Sequence, residues 1–142
     1  MKKEYTVITG TVGMDAHVIG TKVVSRAFRD AGFNVVELGM QTPPEEFIKV
    51  AQETNADAIL MSSLYGMAEI DLRGFKEKCM EAGLDNVILY LGGLLGLSRH
   101  DFSADVIKFK NMGFDRVYPP ETDPREAIED LKKDLEERDG SS

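Results

Sequence analysis

A doubly wound, flavodoxin-like α/β fold is what this 142-residue sequence predicts, a five-stranded parallel sheet of order 2-1-3-4-5 with helices on both faces. Three observations predict it. Five short apolar runs, at 5–9, 33–38, 56–61, 87–91 and 114–118, recur with starts 28, 23, 31 and 27 residues apart. The segments between them carry helical rather than alternating periodicity, the mark of βαβ units whose sheet is covered on both sides. Gly32, Gly83 and Gly113 each stand between a helical segment and the next apolar run, where a left-handed cap ends a helix at least cost.

The first run supplies the first strand, and Ile19, Val23, Ala27 and Phe28 form the inward face of the helix that follows. After the second run, Thr42-Pro43-Pro44-Glu45 offers an N-cap threonine, a first-turn proline and a reciprocal glutamate. The third run leads to a third helix with Leu72, Phe75, Cys79 and Ala82 inward, which makes Cys79 a small buried hydrophobe rather than a catalytic thiol. The fourth run ends in paired glycines. The fifth precedes Asp123-Pro124-Arg125-Glu126, which starts a last helix to about Arg138 with the apolar stripe Ala127, Ile128, Leu131 and Leu135. Five strands and five helices make one domain over 1–138, with a frayed tail at 139–142.

Composition narrows the function. A net charge of −8 argues against non-specific nucleic-acid binding, since phosphates need cations to neutralise them. No run of about 18 apolar residues exists to span a membrane, and the N-terminus lacks a signal-peptide profile. A single cysteine cannot form an internal disulfide, which points to a reducing, cytoplasmic location.

Ligands of such a sheet bind beyond the carboxyl ends of its strands, where the strand order reverses. Three segments meet there. After the first strand comes Gly10-Thr11-Val12-Gly13-Met14-Asp15-Ala16-His17-Val18-Ile19-Gly20. In a loop, Asp15 can curl back to one ring nitrogen of His17, fix its tautomer and raise the basicity of the other nitrogen, the arrangement of a metal-binding imidazole. Capping of the first helix by Asp15 is the structural alternative. Gly20 lets a ligand or another chain pass close to that helix. After the third strand, the hydroxyls of Ser62 and Ser63 either meet a ligand or cap the next helix. After the fourth, Gly92 and Gly93 mark a turn and also open a slot. Such a slot beside a hydroxyl, opposite a carboxylate-tuned imidazole, suits a long ligand with a metal at one end.

Asp15-x-His17-x-x-Gly20, Ser62-x-Leu64 and Gly92-Gly93 together resemble the signature of cobalamin-binding domains that hold their cofactor base-off. The segments 62–66, 69–71, 77–83 and 112–120 are similar to the small subunits of glutamate (methylaspartate) mutases, and the likeness runs from about Tyr5 to the last helix. The resemblance implies adenosylcobalamin as cofactor, with His17 as axial ligand to cobalt and Asp15 as its hydrogen-bonded partner. It implies further that Ser62 contacts the displaced benzimidazole, Leu64 lines the slot, and Gly92 and Gly93 make room. A larger barrel-type catalytic subunit would bind glutamate, in a heterotetramer of two small and two large chains, converting it to 3-methylaspartate by a radical mechanism. This chain would carry no catalytic residue and be inactive alone. Leu94–Leu97 is more apolar than the resemblance leads one to expect, and His100 reads as a surface residue. Because Gly10–Met14 has little to bury, the 10–20 segment is expected to order only with cofactor.

Rival readings divide on particular residues. A corrinoid methyl carrier shares the signature but usually has a helical cap ahead of the domain, for which a first strand at Tyr5 leaves no room. The cobalamin domain of another mutase is closer, and its partner chain would distinguish it. A phosphorylation receiver needs clustered carboxylates at the first strand end and an aspartate after the third, where this chain has Thr9-Gly10 and Ser62-Ser63. A flavodoxin needs a run of hydroxyls around its phosphate, which 9–13 lacks.

Overall fold

In the computed structural model of the protein the described residues are 4–12, 19–63, 68–93, 102–119 and 122–140. Strands β1 (Thr6–Thr11), β2 (Asn34–Glu37), β3 (Ala58–Ser62), β4 (Ile88–Gly92) and β5 (Arg116–Tyr118) form one parallel sheet of order β2-β1-β3-β4-β5. That is the expected order, with its reversal between β1 and β3. The three central strands are the most buried, as β-branched and apolar runs covered on both faces should be.

Helices α1 (Ile19–Asp30) and α6 (Pro124–Arg138) cover one face. Helices α2 (Pro44–Thr54), α3 (Ala68–Asp71), α4 (Phe75–Glu81) and α5 (Phe102–Asn111) belong to the other side's connections. Alternation along each strand separates two cores. Ile8, Ile59, Met61, Leu89 and Leu91 pack with Phe47, Phe75 and Phe109 on the α2, α4 and α5 side. Val7, Ala58, Leu60, Ile88 and Tyr90 pack with Phe28, Ile128, Leu131 and Leu135 on the α1 and α6 side.

Several expectations hold. Gly32, Gly83 and Gly113 have φ of +100°, +81° and +113° and end their helices as left-handed caps. Asp123 caps α6 by accepting from the Arg125 amide at 2.9 Å. Cys79 is fully buried, and burial pushes its thiol up to about 11.

Others are corrected. The third helix is two pieces, α3 and α4, separated by a turn at Gly74 with φ +78°, so six helical segments stand among the described residues instead of five. Val23 is 54% exposed, while Val24, Ser25 and Phe28 face the sheet, because the inward stripe of α1 is set by Phe28, whose ring packs against Phe33. The N-cap of α2 is Pro43, with no side-chain cap bond, and Thr42 instead accepts a place in the sheet edge through its amide to the Thr11 carbonyl at 3.0 Å. Asn55, in the left-handed region at φ 56°, ends α2 without a glycine.

Candidate cofactor site

Four residues pair in register across the carboxyl edge of the sheet: Thr11 with Ser62, Ser62 with Gly92, and Gly92 with Tyr118. Each lies two residues beyond a member of the row Thr9, Leu60, Tyr90 and Arg116, so both rows share the α1 and α6 face. From Thr11 through Ser62 to Gly92 the upper row is two small hydroxyl side chains and then no side chain at all, immediately beyond the bulk of Leu60 and Tyr90, and Tyr118 ends it. Ser62 and Gly92 are half-buried. A Cβ built on Gly92 would have only two described neighbours within 4 Å, the Cβ and carbonyl oxygen of Tyr118, both at 3.8 Å. Among the described residues the position therefore leaves room beside Ser62.

Beneath this gap the face is tied by polar contacts. Thr9 Oγ1 and Ser25 Oγ share a buried hydrogen bond of 2.8 Å that joins β1 to α1. The Tyr90 hydroxyl donates to Asp134 at 2.5 Å and the Tyr118 hydroxyl to Asp130 at 2.6 Å, both on α6. Arg116 donates through Nε and Nη2 to Asp134 at 2.8 and 2.9 Å. Those bonds hold the Asp134 carboxyl below its usual range against the opposing effect of burial. Burial first, and then the bonds to Asp134 and Asp130, raise the phenols of Tyr90 and Tyr118 above theirs.

Gly93, next along, has φ +106°, and its amide donates to the Tyr118 carbonyl at 3.2 Å, which turns the chain away from the sheet in a conformation suited to glycine. Ser63 continues the ladder, its amide donating to the Gly92 carbonyl at 3.0 Å. Its side chain is fully buried and its Oγ has no hydrogen-bond partner. A buried hydroxyl without a partner costs about 1–3 kcal/mol, and alternation along β3 turns this one to the α2, α4 and α5 side, away from Ser62 and Gly92.

The structure brings Ser62, Gly92 and Gly93 together at the reversal point, and places Gly20 in the first turn of α1. Asp15, His17 and Leu64 lie outside the described residues, as do Leu94–Leu97 and His100. The segment expected to begin as a loop at Gly10 is corrected in its first part. Gly10 and Thr11 belong to β1, and Val12 bridges Thr42 and is fully buried. Gly10 faces α2, where a Cβ would come 2.9 Å from Phe47 Cζ, so its lack of a side chain serves packing. Tyr118 is an addition that sequence reasoning did not single out as a residue of this edge. Ser63, named with Ser62 as a ligand contact or a cap, is fully buried.

Among the described residues no group of three or more His, Cys, Asp or Glu side chains could hold a metal ion, and no helix is long and apolar enough to cross a membrane. Residues 5–129 match the model of the B12 binding domain. The chain is 55% identical over 133 residues to the glutamate mutase sigma subunit of Carboxydothermus hydrogenoformans, covering 94% of this chain and 97% of that one. It is 51% identical over 130 residues to the glutamate mutase sigma subunit of Clostridium cochlearium, covering 92% and 95%. Among solved structures, a cobalamin-binding protein from Desulfitobacterium hafniense shares the fold with a TM-score of 0.73 at 19% identity, over 93% of this chain and 59% of that one. A sheet that reverses order beside Ser62 and Gly92, a domain match along most of the sequence and near-complete overlap with these relatives lead to one assignment: the chain belongs to the glutamate mutase sigma-subunit family, built on the B12 binding domain.

Proposed function

We propose that this chain is the cobalamin-carrying subunit of an adenosylcobalamin-dependent glutamate mutase, interconverting L-glutamate and threo-3-methylaspartate with a larger barrel-type catalytic chain, two copies of each. The observation that carries the reading is the gap beside Gly92, next to the Ser62 hydroxyl and at the order reversal, in a chain 55% identical to a glutamate mutase sigma subunit.

The described residues fit a cobalamin. Its nucleotide tail is long, flat at the end and polar along its length. The Gly92 gap offers space for it and Ser62 a hydroxyl at the rim. Ser62, Leu64, Gly92 and Gly93 would hold the tail. Gly20 would allow close approach at the start of α1. His17 would ligate cobalt, with Asp15 accepting from its other ring nitrogen and so fixing the tautomer. When bound, adenosylcobalamin supplies a cobalt–carbon bond whose homolysis starts a radical rearrangement of the substrate's carbon skeleton. This chain's part is to orient the cofactor and shield one side of it from water. Substrate binding falls to the partner, and assembly takes place in the cytoplasm.

Electron paramagnetic resonance tests the assignment. Cob(II)alamin bound to the uniformly nitrogen-15-labelled chain, with the large chain present, is expected to change its nitrogen splitting from three lines to two. His17→Gly is expected to abolish that change. Three-line splitting in the labelled complex means that the cofactor's own base stays on cobalt and overturns the role of His17. Absence of binding overturns the cobalamin reading.

A further inference from the structure

Tyr118 is the register partner of Gly92, so its ring is the side chain best placed to fill the gap that the glycine leaves. It does not fill it. Of the described atoms, the Cβ and carbonyl oxygen of Tyr118 come within 4 Å of a Cβ built on Gly92, and no ring atom does. The ring lies edge-on to Tyr90, with centroids 5.5 Å apart and planes at 62°, one row down the sheet. Its hydroxyl donates to Asp130 of α6 at 2.6 Å. Arg116 backs the acceptor, with Nη1 at 3.7 Å from Asp130 while Nε and Nη2 hold Asp134.

A tyrosine has other staggered side-chain positions, and one that covered Gly92 would bury apolar surface now left open. What opposes that swing is the bond to Asp130. We propose that Tyr118 is a positioning residue whose tether to Asp130 holds its ring off Gly92 and keeps the slot beside Ser62 open to the flat nucleotide end of the cofactor. The inference rests on the reading of that slot as the seat of the nucleotide tail. Specificity then resides in a tyrosine that touches the sheet below the slot, and in an aspartate on a helix that never enters it.

The test compares two corrinoids on the full chain: cobalamin, and cobinamide, which lacks the nucleotide tail. Tyr118→Phe and Asp130→Ala are expected to weaken cobalamin binding by about tenfold, the loss of one charge-assisted hydrogen bond, and to leave cobinamide within about twofold of wild type. Tyr118→Ala removes the ring along with its tether and is expected to recover most of the cobalamin affinity. Should that variant fail to fold, Asp130→Asn serves in its place: it keeps an acceptor for the hydroxyl and is expected to bind cobalamin nearly as wild type does. The proposal is overturned if Tyr118→Phe and Asp130→Ala bind cobalamin normally, or if they lose both corrinoids equally, which is the result of a packing role alone. It is also overturned if Tyr118→Ala folds and binds cobalamin more weakly than Tyr118→Phe. A wild-type chain that binds cobinamide as tightly as cobalamin has no seat for the tail, and that separate outcome removes the underlying reading as well.

Discussion

Arg116, the first residue of β5, grips Asp134 of α6 through two parallel hydrogen bonds of 2.8 and 2.9 Å. The pair joins the edge of the sheet to the helix that closes its face. Because those bonds favour the ionised carboxylate, Asp134 has a lowered pKa in the folded chain. Its contribution to stability is therefore present above the ordinary aspartate pKa of roughly 4 and is lost as the pH falls through the lower folded value. Asp134→Asn is expected to cost about 1 kcal/mol at pH 7, the low end for a charged bond whose donor is partly exposed. In thermal unfolding followed across pH, the difference from wild type should shrink on the acid side. A difference that stays constant down to the lowest pH would show that the charge is not what matters.

Gly10→Ala is expected to destabilise the chain by about 1–3 kcal/mol, since the new methyl meets the fully buried Phe47 ring at 2.9 Å. The midpoint of urea unfolding measures this, and an unchanged midpoint would mean that the Phe47 ring rotates aside freely.

Ser63→Ala should act in the opposite direction. The hydroxyl is buried without a partner, so its removal is expected to raise the stability of the cofactor-free chain by up to about 1 kcal/mol. A loss of stability in the same urea assay would reveal a partner for the hydroxyl.

Gly92→Leu separates folding from binding. The first atom of the new side chain meets Tyr118 at an ordinary 3.8 Å, and a strand tolerates leucine, so the unfolding midpoint is expected to move little. The rest of the side chain enters the gap, and cobalamin affinity is expected to fall at least about tenfold. Equal affinity for the two proteins, measured by equilibrium dialysis, would remove Gly92 from the site.

Cys79 is expected to resist thiol reagents in the native chain and to react at once in denaturant, because the sulfur is both buried and, with a pKa of about 11, almost wholly protonated at neutral pH. Rapid modification under native conditions would place α4 among locally opening segments.

The parts of this fold that were legible in the sequence are those decided by local chemistry. The left-handed conformations at Gly32, Gly83 and Gly113 follow from the absence of a Cβ, and the alternation of apolar runs with helical stretches sets a parallel sheet before any contact is known. The inward stripe of α1 was misplaced at Val23 because periodicity alone leaves the phase of a helix loose by a residue, and docking of Phe28 against Phe33 settles it. Thr42 looked like a cap, yet its amide is drawn to the Thr11 carbonyl, a contact between strand ends that only the assembled sheet creates. The same holds for the site. Ser62, Gly92 and Gly93 were visible as small residues at strand ends. The bond from Tyr118 to Asp130 depends on how α6 crosses β5, which no short motif records.

The alignment of Thr11, Ser62, Gly92 and Tyr118 carries a consequence for tolerated sequence change. Side chains alternate along a strand, so the insertion or deletion of one residue inside β4 exchanges its two faces and presents Leu91 or Gly93 where Gly92 now stands. Leu91 there would set a bulky side chain beside Ser62, and its departure from the opposite core would unpack the second face at the same stroke. Indels within the central strands thus disturb the packing of both faces at once. Those in the connections at the far, amino-terminal end of the sheet bear on neither, and length variation among functional chains of this kind should collect there.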